Sequence, residues 1–98
     1  MDKKWFLYIL RCADDTLYTG ITDDIPRRMA QHNAGKGAKY TRGRGPVELL
    51  YQEEFMNRGE ASRREYQVHR MTRREKLELV ARNPAYAVTA IREKEDLK

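Results

Sequence analysis

Five polar side chains in the first two thirds of the sequence could together carry out acid–base and electrostatic chemistry: Tyr8, Tyr18, Arg28, His32 and Glu65. A phenol can hold a water molecule and, once deprotonated, accept its proton. A guanidinium can grip a phosphate through two parallel hydrogen bonds. Histidine can orient a phosphate or relay a proton, and a carboxylate can hold a divalent cation. These residue types are compatible with chemistry on a phosphate ester, provided that the fold brings them together.

Most of these residues also have an ordinary structural explanation. Tyr8 and Tyr18 can be core aromatic partners, because aromatic residues are common in strands. Arg28 can be a surface residue beside Arg27, and His32 can be a helix C-terminal residue that the helix dipole stabilises. For the tyrosines taken alone, the structural explanation is favoured.

Glu65 is the most informative acidic residue. Ala61, Glu65 and Val68 fall at helical spacing on one face, which directs the carboxylate toward the sheet. An unpaired charge there is costly, and a divalent metal would compensate it. Two alternatives stay open at this point, a helix cap formed with Ser62 and a salt bridge to Arg28. His69, one turn later, is either a neighbour of the metal site or an exposed residue.

The elements that must position these residues begin with a hairpin. Residues 5–10 are dense in aromatic and aliphatic side chains and predict a strand buried on both faces. Residues 12–15 predict a turn, and residues 16–22 a second, antiparallel strand. Tyr8 and Tyr18 then share one face of the sheet if the pairing register has an even sum.

A helix follows the hairpin. Asp23 or Asp24 can cap its first turn, and the sequence at 33–35 predicts its end at a glycine. Arg28 and His32 are four residues apart and therefore lie on one face of this helix.

The remaining pattern predicts a strand over 46–55, a helix from Asn57 to about 71 and a helix from Thr72 to about 82. The order β-β-α-β-α-α predicts an α+β fold, a three-stranded antiparallel sheet flanked by helices. We expect residues 1–84 to form a single domain and residues 85–98 to form a partly ordered or frayed tail.

The charge distribution favours a polyanionic partner. Lys and Arg total 20 against 15 for Asp and Glu, a net charge of +5. No acidic residue interrupts the stretch from Arg27 to Arg44, whose basic side chains predict a phosphate-facing surface, with Tyr40 able to stack on a base. A solvated basic loop is the alternative. The predicted nucleic-acid contacts are Arg27, Lys36, Lys39, Tyr40, Arg42 and Arg44.

Several classes of protein are disfavoured. No apolar run approaches the ~20 residues needed to span a bilayer, and the N-terminus lacks the pattern of a signal peptide. We therefore expect a cytoplasmic protein without a membrane partner. Cys12 is the single cysteine, so an intrachain disulfide and a cysteine-based zinc site are excluded.

The spacing of the motifs resembles the GIY-YIG nuclease superfamily, and most closely its small stand-alone bacterial members. The resemblance rests on Tyr8-Ile9-Leu10, on Tyr18-Thr19-Gly20, on Arg28 eight residues later with Gln31-His32-Asn33 behind it, and on Glu65 in a later helix. It covers about residues 4–82. The chain differs in reading Phe6-Leu7-Tyr8 and Tyr-Thr-Gly where the family name implies Gly-Ile-Tyr and Tyr-Ile-Gly.

The resemblance implies a metal-dependent endonuclease that hydrolyses DNA phosphodiesters in DNA repair or processing. Glu65 would hold one Mg²⁺ or Mn²⁺, Arg28 would stabilise charge, and Tyr8 or Tyr18, assisted by His32, would activate water. Since the separate DNA-binding domains of many members are missing, recognition would follow the structure of the DNA rather than its sequence. DNA is favoured over RNA as the substrate.

Two other hypotheses and one residue remain open. The basic loop alone also suits a non-catalytic module that binds DNA or RNA, and a weaker alternative is a protein-interaction domain.

Gly20 in a strand indicates the close approach of a phosphate or of Arg28, or else a bulge or tight backbone contact.

Overall fold

The computed structural model describes residues 3–37 and 41–82. Its elements are β1 (Trp5–Arg11), β2 (Leu17–Thr22), α1 (Ile25–Asn33), β3 (Glu48–Phe55), α2 (Arg58–His69) and α3 (Arg73–Arg82). This order confirms the predicted α+β arrangement with a three-stranded antiparallel sheet. The predicted tail at 85–98 lies outside the described residues. Within the described part of the chain, no helix is long and apolar enough to cross a bilayer.

β1 is the central strand of the sheet, which has the order β2-β1-β3. Its residues Leu7 to Leu10 are fully buried, so both of its faces are covered, as the sequence predicted. Leu7 and Ile9 belong to the main hydrophobic core together with Val68 of α2 and Val80 of α3. α2 and α3 therefore cover the face of the sheet that carries Leu7 and Ile9.

The opposite face of the sheet carries both tyrosines. Tyr8 pairs with Gly20, and Leu10 pairs with Tyr18, so the register has an even sum. Cross-strand partners point to the same side of a sheet, which places the two phenols together. The even register on which the sequence prediction depended is therefore present, and Tyr8 and Tyr18 share one face.

Capping side chains fix the ends of the helices. The Asp24 carboxylate accepts a hydrogen bond from the backbone of residue 27 at 3.0 Å, which starts α1. α1 ends at Asn33, and Gly35, two residues later, has a φ of 74° in the left-handed region. Backbone bonds from residues 35 and 36 return to residues 32 and 31, a Schellman motif. Asn57 caps α2, and Thr72 with Glu75 forms the predicted capping box of α3.

β3 begins two residues later than the sequence indicated. The Val47 amide donates to the side chain of Asn33 at 2.7 Å instead of joining the sheet. This bond ties the end of α1 to the start of β3, and so it helps to hold α1 against the tyrosine face.

A charged network fixes α2 to β3. Arg64 donates to both oxygens of Glu53, at 2.8 Å and 3.1 Å. Glu53 also accepts a hydrogen bond from the hydroxyl of the buried Tyr51. Burial, the hydrogen bond to Glu53 and the Glu53 charge raise the pKa of Tyr51 to about 12. This two-point contact fixes α2, the helix that carries Glu65, to β3.

Replacement of Thr19 by valine is expected to stabilise the protein by about 1 kcal/mol. Thr19 is 1% exposed, and among the described residues its hydroxyl is the buried side-chain polar group without a hydrogen-bond partner. Valine has a similar shape and removes the cost of burying that hydroxyl. The measurement is the free energy of unfolding in urea.

Thr22 provides the matched control on the same strand. Its hydroxyl accepts from the Asp24 amide at 3.1 Å, so Thr22→Val should destabilise the protein by about 1 kcal/mol. A loss of stability in Thr19→Val equal to that in Thr22→Val would contradict the prediction.

Candidate active site

Gly20 is needed because the Tyr8 ring lies directly over it. A Cβ atom at position 20 would stand 2.6 Å from Tyr8 Oη and 3.0 Å from Tyr18 Cε2. The close approach is therefore made by the two tyrosine rings, and the absence of a side chain at position 20 creates the space for them. The alternatives left open for Gly20 did not include this contact, since the group that lies against it is a phenol ring and not a phosphate, Arg28 or backbone.

Three rings pack around the centre of the site. The Tyr8 and Tyr18 centroids are 6.2 Å apart, and the His32 ring lies 5.9 Å from the first and 5.4 Å from the second. Both histidine contacts are edge-on, the orientation that aromatic quadrupoles favour. α1 thus presents His32 to the sheet face, and the ring is 1% exposed.

A chain of hydrogen bonds runs through this centre. Tyr8 Oη lies 3.0 Å from His32 Nε2, and His32 Nδ1 lies 2.8 Å from the Thr41 hydroxyl. Arg28 Nε donates to Tyr8 Oη at 3.4 Å, and Arg28 Nη1 donates to Gln31 at 3.0 Å. The Tyr8 hydroxyl therefore has a base on one side and a fixed positive charge on the other.

The protonation states at neutral pH follow from burial. Burial raises the pKa of Tyr8 above 10.0, and the hydrogen bond from Arg28 opposes this in part. Burial also raises the pKa of Tyr18. Burial lowers the pKa of His32 below 6.5, and the Arg28 charge lowers it further. The two phenols are consequently protonated, and His32 is neutral and able to accept a proton.

Glu65 is electrostatically coupled to this cluster from α2. Its negative charge contributes to the raised pKa of both Tyr8 and Tyr18. α2 begins after Asn57, so a cap between Ser62 and Glu65 is ruled out. Among the described residues, the ion-pair partner of Glu65 within 4 Å is His69, at 3.7 Å, and not Arg28.

Glu65 is the side chain that could hold a metal ion. Within residues 3–37 and 41–82, no group of three or more His, Cys, Asp or Glu side chains is placed to do so. Mg²⁺ is commonly bound through one or two carboxylates together with substrate phosphates and water. The Glu65 side chain is 27% exposed, and the basic side chain within 4 Å of it among the described residues is His69. The residues present fit an ion that the protein and a phosphate hold jointly.

The predicted nucleic-acid contacts are placed in different ways. Arg27 forms an exposed ion pair with Asp23 and does not share the Arg28 contact to Tyr8. Arg44 pairs with Asp14, which ties the basic loop to the β1–β2 turn. Lys36 and Arg42 are exposed. Lys39 and Tyr40 lie outside the described residues.

Two residues of the site were missed by the sequence analysis. Thr41 holds His32 Nδ1, and it is buried although it lies in the basic loop that was expected to face phosphate or solvent. Gly37 lies against the same ring, because a Cβ there would stand 2.3 Å from His32 Nδ1. The signal in the sequence was the Gly-rich stretch after α1, for which the sequence analysis predicted a phosphate-facing surface or a solvated basic loop but no contact with His32.

Gly20→Ala is expected to lower the free energy of unfolding by about 1–3 kcal/mol, since the added methyl group must displace the buried Tyr8 ring. The same displacement moves Tyr8 Oη away from His32. Urea unfolding measures the effect. Gly59→Ala is the control, because its Cβ would meet side-chain atoms no nearer than 3.4 Å and alanine favours helix. Equal effects of the two substitutions would show that the ring contact is unimportant.

The comparisons with known proteins agree with this fold. The sequence model of the GIY-YIG catalytic domain matches residues 4–78. The chain therefore belongs to the GIY-YIG family, a nuclease superfamily.

Its relatives include small proteins named only as UPF0213 proteins. One from Oceanobacillus iheyensis is 51% identical over 80 residues, which are 82% of this chain and 93% of the relative. One from Klebsiella pneumoniae is 50% identical over 92 residues, 94% of this chain and 87% of the relative. The solution structure of a UPF0213 protein from Bacillus halodurans, 45% identical, matches with a TM-score of 0.55 over 88% of this chain and 94% of its own.

Proposed function

We propose that this protein is a metal-dependent endonuclease that hydrolyses DNA phosphodiesters by attack of water and selects DNA by structure rather than by sequence. The observation that carries the proposal is the convergence of Tyr8, Tyr18, Arg28 and His32 on one sheet face, with Glu65 coupled to both phenols. A convergent set of groups with shifted pKa values beside a fixed cation is typical of an active site.

Water activation would use the Tyr8–His32 pair. With its proton on Nδ1, bonded to the Thr41 oxygen, His32 can accept the Tyr8 proton at Nε2. Because Tyr8 is fully buried and Tyr18 is half-buried, Tyr18 would pass its proton to the Tyr8 oxygen and take one from the attacking water, as the new phosphorus–oxygen bond forms and the bond to the leaving oxygen breaks. The leaving oxygen takes its proton from solvent, and the proton held by His32 returns to solvent through the two tyrosine hydroxyls. The Arg28 charge favours that return because it disfavours a cationic His32.

Arg28 would stabilise the charge that builds on the non-bridging phosphate oxygens. Its guanidinium is half-buried and fixed by Tyr8 and Gln31, so it needs little reorganisation during the reaction. A bound Mg²⁺ or Mn²⁺ at Glu65 would neutralise the phosphate and stabilise the leaving oxygen. DNA repair or processing is the setting that suits recognition of branches, flaps or single strands.

The test is a panel of branched, flapped, duplex and single-stranded DNAs, with matched RNAs, incubated with Mg²⁺, Mn²⁺ or EDTA. We expect metal-dependent cleavage of DNA that prefers a branched or single-stranded structure, and its loss in Tyr8→Phe. If the parent protein binds these nucleic acids but cuts none of them, a non-catalytic binding module replaces this proposal.

Thr41→Val is expected to reduce kcat/KM roughly tenfold, since one hydrogen bond that sets the His32 tautomer is lost. Thr41→Ser keeps the hydroxyl and should restore most of the rate. In the parent protein, activity should fall only below pH 6.5, where His32 becomes protonated. The readout is the pH profile of kcat/KM, and a Thr41→Ser variant as slow as Thr41→Val would contradict the hydroxyl's role.

The same histidine links stability to pH. Its pKa is lower in the folded than in the unfolded protein, so the unfolded state binds more protons between the two values. The free energy of unfolding should therefore decline as pH falls below about 6.5, and His32→Gln should weaken that decline.

A further inference from the structure

The outward side of α2 carries a surface that the proposed catalytic centre does not use. Gly59, Ser62, Arg63, Tyr66 and Gln67 line a recess of 620 Å³, and Arg70 adjoins it. These six residues are called the α2 strip below. We propose that the α2 strip binds single-stranded DNA, with a base stacked on Tyr66 and phosphates held by Arg63 and Arg70.

Tyr66 presents an aromatic platform with a cation beside it. The residue is 64% exposed, the Arg70 guanidinium lies 5.5 Å from its ring centroid, and Arg70 Nη1 donates to its hydroxyl at 3.3 Å. A single exposed aromatic residue is common on protein surfaces and would indicate nothing alone. Stacking of bases on such rings, with arginine contributing, is how proteins bind single strands without reading sequence.

The charge of the strip suits a polyanion. Its ionic residues, Arg63 and Arg70, are both basic, and neither has an acidic partner within 4 Å among the described residues. The acidic residues of α2 lie elsewhere, since Glu65 is coupled to the tyrosines and Glu60 bonds to the backbone amide of Met56. Neutral Gly59, Ser62 and Gln67 complete the strip.

The strip includes the residue next to Glu65, the proposed metal-binding residue. Tyr66 follows Glu65, and an α-helix turns 100° per residue, so the two side chains are about 10 Å apart around a helix ~10–12 Å wide. That distance corresponds to about three stacked nucleotides at ~3.4 Å each. The choice of DNA rests on the proposed function, whereas binding itself does not require cleavage.

The experiment measures fluorescence anisotropy of a labelled single-stranded DNA and a blunt duplex of equal length, in EDTA at low salt. Tyr66→Ala should weaken single-strand binding by about 5- to 150-fold and leave duplex binding almost unchanged. Tyr66→Phe should bind as the parent does, because stacking needs the ring and not the hydroxyl. Arg63→Ala and Arg70→Ala should each reduce the slope of log affinity against log salt by about 0.7.

Arg74→Ala is the matched charge control, since Arg74 is an exposed arginine of α3 paired with Glu78; it should leave the salt slope closer to that of the parent. The proposal is overturned if Tyr66→Ala binds single-stranded DNA like the parent, if it loses duplex binding equally, or if single-stranded RNA binds more tightly than DNA. Because the binding experiment is done in EDTA, its result does not depend on whether the protein cleaves DNA. Conversely, if the parent cleaves DNA and Tyr66→Ala binds single-stranded DNA as the parent does, the proposal for the α2 strip is wrong and the proposed nuclease function is retained.

Discussion

Arg28→Lys is expected to reduce kcat/KM for DNA cleavage by about 10²- to 10³-fold, the usual effect of removing a group aimed at developing negative charge. Lysine keeps the positive charge but cannot bond to Tyr8 and Gln31 at once while facing a phosphate with a planar fork. The loss should appear mainly in kcat, because the interaction strengthens as charge builds in the transition state. Single-turnover cleavage at saturating protein measures it.

Arg27→Lys is the control that the chain itself offers. Arg27 is the preceding residue on α1, 56% exposed and paired with Asp23, so the substitution should change the rate by less than about twofold. Equal losses in the two variants would show that general charge on α1 matters and that the Arg28 geometry does not.

The elements of the fold could be predicted from the sequence because each has a local signal. Capping residues at Asp24, Asn57 and Thr72 and the glycine after α1 mark the helix ends, and these signals act within a few residues. The central strand was visible as an apolar run from Leu7 to Leu10, all of it buried. The even register of the hairpin needed the structure, since a shift of one residue would send Tyr8 and Tyr18 to opposite faces.

The support around His32 could not be predicted, because its contacts are not periodic. Thr41 and Gly37 meet the ring from a loop, and neither lies at a helical or strand spacing from it. The composition of that loop, rich in glycine and basic residues, predicts a solvated segment, which is correct for Arg42 and wrong for Thr41. Sequence composition therefore does not predict which loop residues contact a buried ring in such a site.

The position of Glu65 also depends on a contact between residues that are distant in sequence. The spacing of Ala61, Glu65 and Val68 correctly indicated which side of α2 faces the sheet. It did not indicate what holds the helix there, which is the pair of bonds from Arg64 to Glu53, eleven residues earlier. Under the proposed function, Glu65 must be held in place before a metal ion binds, and the Arg64 contact fixes the helix that carries it.

Glu65→Gln is expected to abolish metal-dependent cleavage, with a loss of about 10³-fold or more. The amide has almost the same shape but no negative charge to hold a divalent cation beside the phosphate. Its fold should be unaffected, because the ionic partner of Glu65 is the half-exposed His69 at 3.7 Å, a contact worth little in water. DNA binding in EDTA should stay equal or tighten, since one negative charge facing the phosphate is removed.

Glu78→Gln provides the control for the charge change. Glu78 lies on α3, is 48% exposed and pairs with Arg74 and Arg82, so its rate and metal dependence should match those of the parent. A Glu65→Asp variant adds a graded test, because a shorter carboxylate should raise the Mg²⁺ concentration needed for half-maximal cleavage. If Glu65→Gln cleaves DNA as the parent does with the same dependence on Mg²⁺, the ion is not held at Glu65. The coupling of Glu65 to the two tyrosines would then act only to keep their hydroxyls protonated.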